Sequence, residues 1–211
     1  YGGMARGISA NCEIIYGTSW ENSDFGMLYW VNNGENTEEP RWVGEDVREV
    51  TEITMQMGDG TEYITHKVYG CVCTANNTNI SPNGRWIAGT YRTEDYPSPR
   101  NYVQARYPAF FNTETGKTYI FDEYGGSARA ATDDGIGFIV NSGGGSGYVV
   151  DIESGTQLGT TEQWIYENYG ITVPSGYIQR LCPNGVALGY SVMNVGPGML
   201  SVAWYVRPTE M

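Results

Sequence analysis

Few side chains in this 211-residue chain have the type and spacing of catalytic groups. A Ser-His-acid triad would depend on His66, the one histidine, which lies in the strand-like segment ITHKVYG without a Gly-x-Ser-x-Gly turn. Glycoside hydrolysis requires two carboxylates held a few ångströms apart. Acidic residues are abundant, as in the Asp133-Asp134 turn and at Asp122-Glu123, but their sequence positions give no reason to bring two together. A carbohydrate-active enzyme is therefore the alternative interpretation.

Metal and cofactor sites find equally little support in the sequence. Cys71 and Cys73 would lie on one face of a strand, but their spacing matches neither a CxxC redox motif nor half of a zinc site. Asp59 and the turn Asp133–Gly135 offer oxygen ligands without following a calcium-loop pattern. Gly143–Gly145 is not followed by the lysine of a phosphate-binding loop. We predict no catalytic residue, no metal and no cofactor.

Aromatic and arginine side chains are the stronger functional signal. Tyr and Arg are favoured at binding hot spots because they bring a large contact area or bidentate hydrogen bonds at low entropic cost. Residues 92–107 are predicted to form a long loop that carries several of them. The predicted ligand- or partner-binding residues are Trp20, Tyr96, Arg100, Tyr102, Arg106 and Trp164. The same tyrosines could instead pack the loop against its scaffold, and the tryptophans could fill the core.

Four segments that share one pattern must position these residues. In each, a strand of small residues is followed by a tight turn and an apolar run: ARGISANCEIIYGTS (5–19), TNISPNGRWIAGTY (78–91), RAATDDGIGFIVNS (129–142) and QRLCPNGVALGYSV (179–192). Aligning the turns places Ser9, Ser81, Thr132 and Cys182 in register, with spacings of 72, 51 and 50 residues. The apolar runs are rich in β-branched and aromatic residues, which indicates strands. Turns such as Thr-Glu-Thr-Gly-Lys then join two further strands.

About four short antiparallel strands per unit and a period near 50 residues are typical of a β-propeller blade. We predict an all-β propeller of about four blades, either a closed ring or part of a larger one, with blades at residues 5–57, 64–122, 127–162 and 176–211. The last unit lacks a fourth strand. Either residues 1–8 pair with residues 200–206, or the native chain continues.

The cysteines offer a further indication of ring closure. In a closed ring Cys12 and Cys182 would occupy equivalent turns of neighbouring blades. A disulfide between them would constrain the unfolded chain over a long loop, but it requires α-carbons within about 7 Å of each other. The alternative is that all four cysteines are buried free thiols.

The turn segments ISPNGRWIAGTY and GISANCEIIYGTS, followed by apolar strands such as MLYWVN, resemble two related groups of proteins. One is the bacterial extracellular repeats of the HAF type, and the other is the TolB-like and WD40-like β-propellers with Ser-Pro-Asp-Gly turns. The resemblance covers most of the chain outside residues 33–70, with Asn11-Cys12 in place of Asp-Gly and Cys182 in place of Ser. It implies an extracytoplasmic bacterial protein, whether periplasmic, surface-bound or secreted.

The composition narrows the range of partners. A net charge of −12 argues against nucleic acid and anionic membrane surfaces, and no apolar run approaches the length of a membrane span. In a propeller the second-to-third-strand loops and the crossovers at residues 58–66 and 162–176 would be long, so we expect binding on that face. The leading interpretation is a binding module without catalysis for a protein or glycan partner, with further domains or blades possible in the native chain.

Overall fold

The computed structural model describes residues 3–21, 24–32, 34, 39–73, 79–98, 101–143, 145–195 and 198–208. Within them the chain forms four antiparallel sheets, the blades of a β-propeller. The first contains β1 (Gly3–Ile8), β2 (Ile14–Glu21), β3 (Asp24–Val31) and β4 (Arg41–Trp42). The second contains β5 (Glu49–Gln56), β6 (Glu62–Cys73), β7 (Trp86–Ser98), β8 (Asn101–Asn112) and β9 (Thr118–Ile120).

The remaining two blades follow in chain order. The third contains β10 (Gly126–Ala131), β11 (Ile136–Asn141), β12 (Gly147–Asp151) and β13 (Gln157–Thr160). The fourth contains β14 (Gly176–Leu181), β15 (Ala187–Val195) and β16 (Gly198–Val206). A short 3-10 helix (Glu45–Val47) precedes β5, and one α-helix, α1 (Thr161–Tyr169), joins the third and fourth blades. No helix among the described residues is long and apolar enough to cross a bilayer.

The predicted alignment of the four turns is confirmed by their backbone hydrogen bonds. Each turn's first residue donates its N–H to the carbonyl of the residue that leads into the next strand: Ser9 to Ile14 (2.8 Å), Ser81 to Trp86 (2.8 Å), Thr132 to Ile136 (2.9 Å) and Cys182 to Val186 (2.9 Å). In the first three turns the hydroxyl of that first residue also accepts the N–H of the same partner, at 2.9–3.0 Å. The fourth turn has a thiol at this position.

The core lies between neighbouring blades, and strand alternation divides it. Successive strand residues point to opposite faces. Ile87 therefore packs with Met27 of the first blade, whereas Trp86 packs with Ile139 of the third. A third cluster, with Phe138 at its centre, joins the third and fourth blades and includes α1. Burying a side chain of this size stabilises a fold by about 1.5–3 kcal/mol. No comparable buried cluster joins the fourth blade to the first among the described residues.

Residues 92–107, predicted as a loop, instead extend the hairpin of β7 and β8. The pairing runs without interruption from Trp86↔Asn112 to Asp95↔Val103. The region contains three tyrosines, a threonine and a valine, and aromatic and β-branched residues suit extended strands. Pro97 lies beyond the last regular pair, near the end of β7, where a missing N–H disrupts little. The loop prediction was wrong because β7 and β8 continue to pair with each other through this segment.

Two predicted connections also contain regular structure. Residues 49–56, assigned from the sequence to the first blade, form β5, which pairs with β6 in the second sheet. The crossover at residues 162–176 begins with α1, whose capping box joins Thr160 and Gln163 and which ends at Gly170 in a left-handed conformation. Thr-x-x-Gln is a recognised helix-start pattern. The sequence therefore contains a helix-start pattern at Thr160, between two segments that have the strand repeat.

The described residues of the two chain ends do not pair with each other. β1 pairs with β2, from Gly3↔Ser19 to Ile8↔Ile15, and β16 belongs to a different sheet, so the first of the two alternatives, pairing of residues 1–8 with residues 200–206, is not found among the described residues. β16 pairs with β15, and no described strand lies along its other edge. The four cysteines are free, with Cys12 exposed and Cys182 half-buried. The Cys12–Cys182 disulfide that the sequence left open is thus absent, and of the four free thiols only Cys71 and Cys73 are buried.

Candidate functional site

A cavity of about 470 Å³ lies between β1 of the first blade, residues 79–82 before β7 of the second, and β14 of the fourth. We call it the axial pocket and define it by Arg6, Tyr16, Asn79, Gln179, Arg180 and Leu188. Ala10, Pro82 and Pro183 from three of the repeated turns also line it. The pocket therefore opens on the face of these short turns. The ends of the long β5–β6 and β7–β8 hairpins, where binding was expected, lie on the opposite face.

Backbone bulges shape the walls of the axial pocket. The innermost strands of the first, third and fourth blades each have a register shift, which leaves Arg6, Arg129 and Gln179 outside the regular pairing. Each bulge lies three residues before the aligned turn position. A bulge redirects side chains and releases backbone groups from the ladder. Asn79 uses two of the released groups, because its Nδ2 donates to the carbonyl oxygens of Arg129 (3.0 Å) and Gln179 (2.5 Å).

The axial pocket concentrates positive charge in a chain that is otherwise strongly acidic. Arg6 and Arg180 line it, and no aspartate or glutamate is among its described lining residues. Within the described part of the chain, neither guanidinium makes an ion pair or a hydrogen bond. The whole chain carries 24 acidic and 12 basic side chains. The described lining of the axial pocket is therefore positively charged, whereas the chain as a whole has a net charge of −12.

Tyr16 lines the axial pocket together with these two arginines. Its ring is 3% exposed, and burial raises the pKa of its hydroxyl, while Arg180 and Arg6 act in the opposite direction. Both guanidinium charges therefore act on the phenol oxygen. Gly7 permits the close approach of the ring to β1, because a Cβ at that position would lie 2.6 Å from Tyr16 Cε1. The sequence places glycine where the backbone and the ring must touch.

This arrangement is suited to binding an anion. Arginine presents a planar set of N–H donors that matches a carboxylate or phosphate group. The described lining residues include no carboxylate or histidine that could act as a general base. Elsewhere in the described chain, no group of three or more His, Cys, Asp or Glu side chains is arranged to hold a metal ion.

Of the sequence-predicted binding residues, the structure describes the side chains of Arg106 and Trp164, which lie on different elements of the fold, β8 and α1. Arg106 is exposed on β8 in the second blade, opposite Arg92. Trp164 is half-buried on α1, where its ring packs edge-on against Phe138 at 4.8 Å and Tyr169 at 5.8 Å. This is the packing alternative that the sequence left open.

The other predicted binding residues are only partly described. Trp20, Tyr96 and Tyr102 lie in β2, β7 and β8, but their side chains are outside the described part of the structure. Arg100 lies outside the described residues altogether. Their role in binding stays a prediction.

Sequence reasoning missed Arg6, Tyr16, Asn79 and Arg180. One signal could have indicated the first of them, because Arg6 stands three residues before the aligned turn position, as Arg129 and Gln179 do. The repeat does not reveal which of these side chains turn toward the axis, since that depends on the bulges. Arg180 lies one position after a bulge and had no sequence signal of its own.

Comparison with known proteins adds little beyond the fold. No family model and no curated protein matches the chain. Among solved structures, hydrazine synthase from Kuenenia stuttgartiensis is similar with a TM-score of 0.39 and 10% sequence identity, over 92% of this chain and 69% of that one. A likeness this weak supports no conclusion about activity. The propeller expected from the HAF-type and TolB-like resemblance is present, whereas no match supports membership of either group.

Proposed function

We propose that this chain is a binding module of an extracytoplasmic bacterial protein, and that its axial pocket takes a small carboxylate-bearing ligand such as an acidic sugar. The observation that carries the proposal is the presence of Arg6 and Arg180, without an acidic neighbour, in a cavity of about 470 Å³. Cavities of roughly 300–1,000 Å³ are typical of small-molecule sites. The module performs no catalysis of its own.

Charge is the first reason for an anionic ligand. A protein of net charge −12 repels anions over most of its surface. Among the described residues the guanidinium groups of Arg6 and Arg180 have no ion-pair or hydrogen-bond partner, so each can form charge-assisted hydrogen bonds with an incoming carboxylate. Such bonds are about twice as strong as neutral ones.

The remaining walls favour an organic ligand over a simple inorganic ion. Leu188 supplies apolar surface beside the two charges, and Gln179 adds a polar side chain. A ligand with a carboxylate on a compact polar ring would contact the arginines, the apolar side chain and the polar side chain of the pocket. This is the chemistry of a hexuronic acid, which also agrees with the glycan partner expected from the sequence.

Calorimetric titration of the purified chain with glucuronate and with glucose tests this proposal. The two sugars differ in the group at one carbon, so we expect glucuronate to bind and glucose to bind at least tenfold more weakly. Losing one charge-assisted contact of about 1.5–3 kcal/mol should weaken glucuronate binding by about ten- to a hundredfold in Arg6→Gln and in Arg180→Gln. Equal affinity for the two sugars would contradict the proposal.

Arg106→Gln serves as the matched control, because Arg106 is an exposed arginine outside the pocket. We expect it to leave the affinity unchanged. If it instead abolishes binding while Arg6→Gln does not, the site belongs to the β7–β8 hairpin, as the sequence predicted. Analysis of the same mixtures for cleaved oligo-uronides would reveal glycosidase activity, the alternative function.

A further inference from the structure

Two buried thiols lie in contact near the end of β6. The Sγ atoms of Cys71 and Cys73 are 3.2 Å apart, and the two residues are 5% and 7% exposed. Strand alternation places both side chains on one face, while Val72 between them packs with Ile87 on the other. The two cysteines pair in register with Arg92 and Thr90 of β7. The axial pocket does not include either thiol.

We propose that Cys71 and Cys73 form a reversible disulfide within β6, with a small-molecule disulfide as the oxidant. The Cys71 thiolate attacks one sulfur of the oxidant, which forms a mixed disulfide and releases one thiolate. Cys73 then loses its proton to solvent and attacks the Cys71 sulfur, which releases the second thiolate. The two protein thiols are oxidised by two electrons, and the small disulfide is reduced to two thiols.

Backbone geometry allows this bond, but the separation of the two α-carbons is near the upper limit for a disulfide. Residues two apart in an extended strand have α-carbons about 6.6 Å apart, from a rise of about 3.3 Å per residue. Bridged cysteines have α-carbons about 4.4–6.8 Å apart. Since the sulfurs are already in contact, closure requires only a modest shortening of β6. That shortening works against the Cys71↔Arg92 and Cys73↔Thr90 pairs, so the bond should also be readily reduced.

The surroundings divide the roles of the two thiols. The hydrogen bond with Cys73 lowers the pKa of the Cys71 thiol; burial opposes this effect, and Arg48 and Arg92 add to it. The same hydrogen bond raises the pKa of Cys73, as does burial. Thiolate formation controls which cysteine attacks a disulfide. Cys71 is therefore the attacking sulfur and Cys73 the one that completes the bond.

This inference stands independently of the anion site, because it uses residues of a different part of the second blade. Oxidising compartments maintain disulfides. In the proposed extracytoplasmic location the pair would be oxidised, whereas a reducing compartment would keep it as two thiols. The chemistry itself can be measured without knowing the location.

The test uses the full chain with Cys12→Ser and Cys182→Ser, which leaves this pair as its only thiols. The reduced protein is incubated at several ratios of oxidised to reduced glutathione, quenched with acid, alkylated and mapped by mass spectrometry. We expect the peptide with Cys71 and Cys73 to lose two hydrogens and to carry neither alkyl group nor glutathione. Adding Cys73→Ser should trap a stable glutathione adduct on Cys71.

Burial of the two sulfurs could keep glutathione from reaching them in the folded protein. A second sample is therefore refolded from urea in the same glutathione buffers. If the pair is still alkylated as two thiols at the most oxidising ratio, or carries two separate glutathiones, the proposal is overturned. The double Cys→Ser background decides this question, so the proposal does not depend on the folding of the Cys73→Ser variant.

Discussion

The backbone N–H of Asn83 donates a 2.9 Å hydrogen bond to Oδ1 of Asp133, which lies 50 residues later in the aligned turn of the next repeat. In the preceding repeat, Nδ2 of Asn11 donates to the backbone oxygen of Asn83 across 72 residues, at 3.1 Å. The first separation is within one residue of the 51-residue spacing between those two turns, and the second equals the 72-residue spacing. Equivalent turns of neighbouring blades are thus bonded to each other around the axis, which gives the repeat a direct structural role.

The first prediction concerns the hydroxyl of Ser81, which accepts the N–H of Trp86 at 3.0 Å. Ser81 is fully buried, so Ser81→Ala leaves that N–H without this acceptor where water cannot replace it. We expect the free energy of unfolding to fall by about 1–3 kcal/mol, measured by urea denaturation. Cys182→Ser, at the half-buried equivalent position, is the matched control and should change it by less than about 0.5 kcal/mol. Equal losses would contradict this reading of the turn.

A second prediction concerns Asn79, which links the bulges of the third and fourth blades. Asn79→Ala removes the donor to two backbone carbonyls, and we expect it to lower the free energy of unfolding by about 1–3 kcal/mol. Asn79→Asp should cost more at neutral pH, because it turns a carboxylate toward carbonyl oxygens. Asn83→Ala, which keeps the backbone bonds of an exposed turn, is the control in the same urea titrations. No difference between the two alanine variants would show that Asn79 is not a structural link.

A third prediction concerns Trp164 and tests whether its ring packs the core or binds a ligand. Its ring contacts Phe138 and Tyr169, so Trp164→Ala should lower the free energy of unfolding by at least about 2 kcal/mol in urea denaturation. Trp164→Phe should recover part of that loss. Tyr166 lies on the same helix, is 62% exposed, and should tolerate alanine with a change below about 0.5 kcal/mol. If both alanine variants lowered the free energy of unfolding by similarly small amounts, Trp164 would again be a candidate ligand-binding residue.

A fourth prediction concerns pH and the turn after β12. The backbone N–H of Ser154 donates to Oδ1 of Asp151 at 2.8 Å, and this bond lowers the pKa of the Asp151 carboxyl. A lowered folded-state pKa gives stability that is present above the ordinary aspartate value, about 3.9, and is lost as the pH falls through the lower folded value. NMR titration of the carboxyl carbon should show this lower value. Asp151→Asn keeps the acceptor and should remove this part of the acid dependence; titration at or above the ordinary value would refute the assignment.

The blade repeat was readable from the sequence because its signals are local. Ser81-Pro82-Asn83-Gly84 and the equivalent segments specify tight turns through their own dihedral preferences and side-chain bonds. The hydroxyl–amide bond at Ser81 closes within five residues, so no distant contact is needed to predict the turn. The three strands of the fourth sheet, as far as the structure describes it, could be predicted for the same reason.

The misassigned elements depend on partners elsewhere in the chain. From the sequence β5 was assigned to the first blade, at residues 5–57, yet its hairpin partner β6 carries it into the second. β7 and β8 continue past residue 92 because each strand supplies the other's hydrogen bonds. A local pattern with prolines does not reveal that mutual support.

The amino-acid sequence by itself determined the β class, the four turns and their register, because these follow from dihedral preference and strand alternation. Only the tertiary structure decided where the charges meet. Arg6 and Arg180 are 174 positions apart in the sequence, and a bulge in β1 together with the return of the chain to the axis brings both to one pocket with Tyr16. Electrostatic potential depends on distances in space, and a linear pattern does not contain them.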